Sequence, residues 1–259
     1  MRPAPALRVA ALMLLVTAPP ARAVHDPALT ADEEKCQQAL AAAVGKFQAG
    51  KTKCLVKCDR NAAKGKNPDS DCAPPFAGKT AACVVAAEGK ATDAAAKKCG
   101  TDCPECYAGG DCPAHAAAEL AAAEAAIDVG VGVLRCDDSG SPDALTAVER
   151  QCRQTAGLEA AKFARAYGKC LAKCRAREQK GKLPPGTCTA GAVTDSKTSA
   201  CLDKVFETCV TKITEKCPDP PECLGDLFFV CFDVAGAVES FDPGIFCGSP
   251  GAAFVDPLE

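Results

Sequence analysis

Lys46-Phe47-Gln48-Ala49-Gly50-Lys51-Thr52-Lys53-Cys54-Leu55-Val56-Lys57-Cys58 has a second version later in the chain, Lys162-Phe163-Ala164-Arg165-Ala166-Tyr167-Gly168-Lys169-Cys170-Leu171-Ala172-Lys173-Cys174. Alanine, lysine and leucine are good helix formers, so both stretches are read as helix. At 100° per residue, one face of the first helix carries Cys36, Leu40, Phe47, Cys54 and Cys58. Cys152, Phe163, Cys170 and Cys174 share one face of the second. The cysteines therefore point inward with the apolar residues, which suits bridges to a neighbouring helix.

Working outward, the cysteines Cys36, Cys54, Cys58, Cys72, Cys83, Cys99 and Cys106 recur as Cys152, Cys170, Cys174, Cys188, Cys201, Cys217 and Cys223. Lys64-Gly65-Lys66 with Pro68 recurs as Lys180-Gly181-Lys182 with Pro184, and Pro104-Glu105-Cys106 as Pro221-Glu222-Cys223. Tandem duplication explains this density of matches. The repeated unit is much longer than the 20–50 residues usual in solenoids. The expected architecture is all-α, with two tandem disulfide-stapled helical-hairpin units, each with an additional C-terminal helix. A first helix from Asp32 to Lys64 ends at Gly65, a left-handed C-terminal cap with Pro68 beyond it. Gly45, Gly50 and Gly168 are expected to bend the long helices. Hairpin partners follow at Thr80 to Lys98 and Ser196 to Lys216, with third helices at Ala114 to Leu134 and Leu224 to Val238. The turn-rich run Asp137 to Asp143 marks the boundary, with Ser141 or Asp143 as the cap of the next helix.

The expected organisation is residues 1–23 as a signal peptide, 24–138 as the first cysteine-rich unit and 139–259 as the second. Arg2 and Arg8 precede the apolar run Val9 to Ala18, and Ala21-Arg22-Ala23 fits a small-x-small cleavage site. The ten-residue run is too short to span a bilayer, as is Leu227 to Val238, which Asp233 interrupts. Without Arg2, Arg8 and Arg22 the chain holds 27 basic against 33 acidic residues, a net charge of −6. A mildly acidic chain is not a general nucleic-acid binder. The localisation expected is secreted, periplasmic or extracellular, where thiols pair and stay paired. All 20 cysteines follow residue 23, an even number that permits complete pairing. There is no Trp and there are only two Tyr. Alanine buries little area, so staples are expected to offset a modest core.

Spacing alone leaves the connectivity open. Antiparallel hairpin geometry favours Cys54–Cys83 and Cys58–Cys72 near the turn, with Cys36–Cys99 at the open end. The second unit would use Cys170–Cys201, Cys174–Cys188 and Cys152–Cys217. A separate stripe of Lys46, Lys53, Lys57 and Lys64 falls within about 20° of one line on the helical wheel. Lys162, Lys169, Lys173 and Lys180 repeat it. The plain reading is a solvated face; the sharper one is a contact for an acidic polysaccharide or a lipid phosphate surface.

Catalytic patterns are missing. There is no G-x-S-x-G elbow, no dinucleotide fingerprint and no full calcium loop. A non-catalytic binding or structural module without a cofactor is the favoured reading. Two competitors stay open. A thiolate store for Cu(I) or Zn would use helical C-x-x-x-C pairs such as Cys54/Cys58 and Cys170/Cys174, although His25 and His115 are the only imidazoles. A thiol–disulfide oxidoreductase would use Cys103-Pro104-Glu105-Cys106, without the βαβ setting that such enzymes give the motif. Phe228-Phe229 and the stretch from Phe241 to Phe254 are further contact candidates, although phenylalanines are more often core.

The recurring Lys-Cys-Leu-x-Lys-Cys, Gly-Lys-x-Pro and Lys-Thr-x-x-Cys pieces, over Glu33 to Cys106 and Glu149 to Cys223, resemble exported bacterial cysteine-rich helical repeat proteins. The resemblance implies a helical, exported product and adds no functional residue.

Overall fold

The structure is a computed structural model describing residues 29–100, 103–107, 111–135, 146–218 and 227–246. Every regular element among them is helical: α1 (Ala31–Ala62), one 3-10 turn (Asp69–Cys72), α2 (Gly78–Cys99), α3 (Cys112–Arg135), α4 (Ala147–Gln179), α5 (Ser196–Lys216) and α6 (Leu227–Ile245). The signal-peptide segment, the Asp137–Asp143 boundary, Cys223 and Phe254 lie outside the described residues. So do the side chains of Phe228, Phe229 and Phe241.

Both long helices start on the same device. The Thr30 hydroxyl accepts the Glu33 amide at 3.2 Å, and the Glu33 carboxylate accepts the Thr30 amide at 2.6 Å. Thr146 and Glu149 repeat this at 3.2 and 2.6 Å. These reciprocal bonds satisfy amides that a helix start leaves without partners. Thr146, not Ser141 or Asp143, therefore caps α4. Gly65 (φ 65°) and Gly181 (φ 64°) end the helical runs in the left-handed region. The amide of the residue after each reaches back to Asn61 and Arg177 at 2.9 and 2.8 Å.

The interior glycines do not break α1 or α4, which run unbroken as single helices. Gly50 marks a close approach. A Cβ on Gly50 would stand 3.0 Å from the Ala87 methyl of α2.

α1 and α4 run antiparallel side by side: Gln38 near the start of α1 meets Gln179 at the end of α4, and Arg60 meets Gln154. Each long helix carries its own partners on its inner face. In the first set, Leu40, Val44 and Phe47 of α1 pack against Ala91 and Ala95 of α2 and Ala116, Leu120 and Ala123 of α3. In the second, Phe163, Tyr167 and Leu171 of α4 pack against Ile213 of α5 and Val230, Ala235 and Val238 of α6. The two interiors are joined, because Ile245 and Phe246 at the end of α6 insert into the first cluster.

Candidate anion-binding face

The helical framework is locked by sulfur. Cys54–Cys83, Cys58–Cys72 and Cys36–Cys99 are bridged in the first set, and Cys170–Cys201, Cys174–Cys188 and Cys152–Cys217 in the second. These are the six pairs that antiparallel hairpins favour. Two further bridges escape that reasoning: Cys103–Cys112 ties the segment before α3 to its first turn, and Cys209–Cys231 ties α5 to α6. No described cysteine is free. Cys103 pairs with Cys112 and not with Cys106, which is disulfide-bonded elsewhere, so the C-x-x-C segment does not close on itself. The C-x-x-x-C pairs Cys54/Cys58 and Cys170/Cys174 likewise send each sulfur to a different partner. Where two bridges come closest, Cys36 Sγ and Cys112 Sγ are 3.5 Å apart, and Cys36, Cys99 and Cys112 place three buried sulfurs within 4.8 Å.

Two buried polar clusters brace the first set. Lys51 is fully buried, with Nζ 2.8 Å from Glu124 and 2.6 Å from Asp128 of α3 and 5.0 Å from the Phe76 ring centre. Burial pushes the Asp128 carboxyl up, while the adjacent Lys51 ammonium holds it down. The wheel already places Lys51 about 140° from Lys46, on the face of Leu40 and Cys58 rather than on the lysine stripe.

The second cluster clips the end of α6 to α3. The Tyr107 and His115 rings stack at 3.9 Å; Tyr107 donates its hydroxyl to the Ile245 carbonyl, and His115 Nε2 meets the Gly244 carbonyl at 2.9 Å. Desolvation lowers the His115 pKa, against the Gly244 bond, which raises it. Glu119 sits against Gly244, where a Cβ would overlap the carboxylate as it stands. Burial raises Glu119 to about 7.

Against this closed interior, all eight lysines of the two stripes are exposed. Lys162 is in an ion pair with Glu159 at 2.6 Å. Lys46, Lys53, Lys57, Lys169 and Lys173 are in none among the described residues. They line two grooves that meet at Lys46. One, of about 450 Å³, runs between α1 and α2; Lys46, Lys53, Lys57 and Lys90 stand over a floor of Ala86, Ala87, Ala91 and the Cys54–Cys83 bridge. The other, of about 300 Å³, lies between α1, α4 and the end of α6; Lys46, Arg165, Lys169 and Lys173 border an apolar interior of Val44, Leu171, Val238, Ile245 and Phe246. Among the described residues neither lining holds an acidic one, in a chain whose acids outnumber its bases by 33 to 30. Lys64 and Lys180 lie outside both linings, and Lys162 does too. Lys90 and Arg165 join the face although they are on neither stripe. Their placement depends on how α2 and α4 pack against α1, which a single helical wheel does not encode.

No helix among the described residues is long and apolar enough to cross a membrane. The many disulfides fit an oxidising, extracytoplasmic compartment. No protein-family model, no curated protein and no solved structure matches the chain.

Proposed function

We propose that this is an exported, non-catalytic binding module that holds an anionic surface, an acidic polysaccharide or a lipid phosphate layer, against its lysine-lined face. The disulfide-rich helical architecture fits a structural or binding role. The observation that carries the finer reading is the acid-free lining of the two grooves. Like charges held together on a rigid frame repel one another, and an anion relieves that repulsion. The bridges keep the frame fixed, so little ordering entropy is lost when the face is occupied.

The test is titration of dextran sulfate into the protein at low and at physiological salt. Wild type binds, and binding weakens as salt screens the charges. Lys53→Glu with Lys57→Glu lowers affinity at least tenfold, while Lys204→Glu, on exposed α5 surface away from both grooves, leaves it unchanged. Equal loss in both variants removes the groove as the site.

A second reading rests on the three sulfurs around Cys36. Reduced, they would offer a thiolate set for Cu(I) or Zn. That role requires Cys36–Cys99 and Cys103–Cys112 to open first, so it predicts metal uptake only after reduction.

A further inference from the structure

The groove between α1, α4 and α6 differs from its neighbour. The α1–α2 groove is floored by alanine methyls and a disulfide; this one is lined by the larger chains of Leu171, Val238, Ile245 and Phe246. Its interior is mostly apolar, with Gln38 and the buried Gln48 also on the lining, and its border is cationic. We infer that this cavity binds one single-chain anionic amphiphile, a medium-chain carboxylate, with the alkyl chain among the apolar side chains and the carboxylate between Lys169, Lys173 and Lys46.

Three observations support this occupant. First, a bundle cavity of about 300 Å³ with a mostly apolar wall and a few polar groups on its border has the form of a small-ligand site. At roughly 30 Å³ for a water-sized group it holds a chain of about ten methylenes. Secondly, four cationic groups and, among the described residues, no acid border it, so an anionic head is favoured over a neutral or cationic one. Thirdly, the wall is kept low where α1 meets α4. Gly45 lines the cavity, and a Cβ built there would just reach contact with α4, 3.9 Å from the Cα and Cγ of Arg165. The inference deepens the reading of one of the two grooves, since Lys46, Arg165, Lys169 and Lys173 belong to the polyanion face too, but chain binding in the cavity does not depend on polyanion binding.

Gly45 supplies the test. Gly45→Leu fills the cavity from α1 and replaces a helix-interior glycine with a better helix former; retained dextran sulfate binding reports that the fold is kept, and Gly45→Ala is the conservative control. The probes are hexanoate, octanoate, decanoate and decanol, titrated calorimetrically into the full chain below their aggregation concentrations. One decanoate binds per chain, and affinity rises about fourfold per added methylene up to decanoate. Decanol binds at least tenfold more weakly than decanoate, and Lys169→Glu with Lys173→Glu removes most of that difference. Gly45→Leu abolishes decanoate binding and keeps dextran sulfate binding, whereas Lys53→Glu with Lys57→Glu does the reverse. Chain-length-independent affinity, decanol binding as well as decanoate, unchanged decanoate binding in Gly45→Leu, or no decanoate binding at all overturns the inference. If dextran sulfate still binds in any of those cases, the binding-module proposal stands without the cavity.

Discussion

The α1–α3 set and the α4–α6 set use the same clamps around different interiors. Cys36–Cys99 and Cys152–Cys217 enclose 63 and 65 residues of separation, and Cys58–Cys72 and Cys174–Cys188 both span 14. Between the clamps the contents diverge. Ala87, Ala91 and Ala95 of α2 stand where α5 has Val205, Cys209 and Ile213, at the 118-residue spacing of Cys83 and Cys201. Lys51, paired with Glu124 and Asp128, stands where Tyr167 donates its hydroxyl to Glu239. Burial and the Glu239 carboxylate both raise the Tyr167 pKa, so it stays a donor. The comparison teaches that conserved cross-links release the residues between them. The second set fills its interior with larger side chains, and the first leaves an alanine-floored groove under exposed lysines.

The largest effect expected from breaking this comparison comes from the long bridges. Loop closure alone values each at about 4 kcal/mol before the remaining bridges shorten the loop. Because 63 and 65 residues are equivalent in that respect, Cys36→Ala with Cys99→Ala and Cys152→Ala with Cys217→Ala differ chiefly through the interior left behind. The first pair is expected to lower the guanidinium midpoint more, and amide exchange to rise more in α2 than in α5 of the matching variant. Equal losses would mean that the interiors contribute alike.

Next in size is the seam between the two sets. Glu119 has its folded pKa raised from 4.5 to about 7. The folded state then keeps a proton that the unfolded chain releases. The contribution is full below about pH 4.5 and is lost as pH rises towards 7, at most about 3 kcal/mol. His115, lowered by burial, acts in the opposite direction below pH 6.5, so the informative quantity is a difference. Wild-type stability minus that of Glu119→Gln, which keeps His115, should fall as pH rises through that window. A flat difference would show that Glu119 titrates as an exposed carboxyl.

Smaller again is the exchange of braces. Lys51→Met leaves two partly exposed carboxylates facing each other and is expected to cost about 2 kcal/mol at pH 7, less in acid, where they protonate. Tyr167→Phe loses one hydrogen bond and is expected to cost about 1 kcal/mol. Denaturant unfolding checks both, and the reverse order would contradict the assignment of Lys51 as the tighter brace.

Much of this fold is legible in the sequence, because helical angle carries the information. Cys54 and Cys58 share the face of Phe47, so their sulfurs face the hairpin partner, Cys54 meeting α2 and Cys58 the 3-10 turn that leads into it, and hairpin geometry leaves few partners within reach. Cys112 and Cys209 were opaque for a related reason: neither has a counterpart in the other copy, so spacing does not indicate their partners. The Thr-x-x-Glu caps at Thr30 and Thr146 were readable as a local motif, but the denser turn cluster at Asp137–Asp143 draws attention from the second. The lysine stripes are visible on one helix at a time. The grooves are not, since they arise from the rotation of α1 against α2 and α4, and from the end of α6 closing one of them.

The most direct measurement is the mass of the protein purified from its native source after alkylation without reduction, followed by unreduced peptide mapping. The account predicts no alkylated cysteine and linked peptides for Cys36–Cys99, Cys54–Cys83 and their second-set counterparts. Several alkylated thiols, or a Cys36–Cys58 linked peptide, would contradict it.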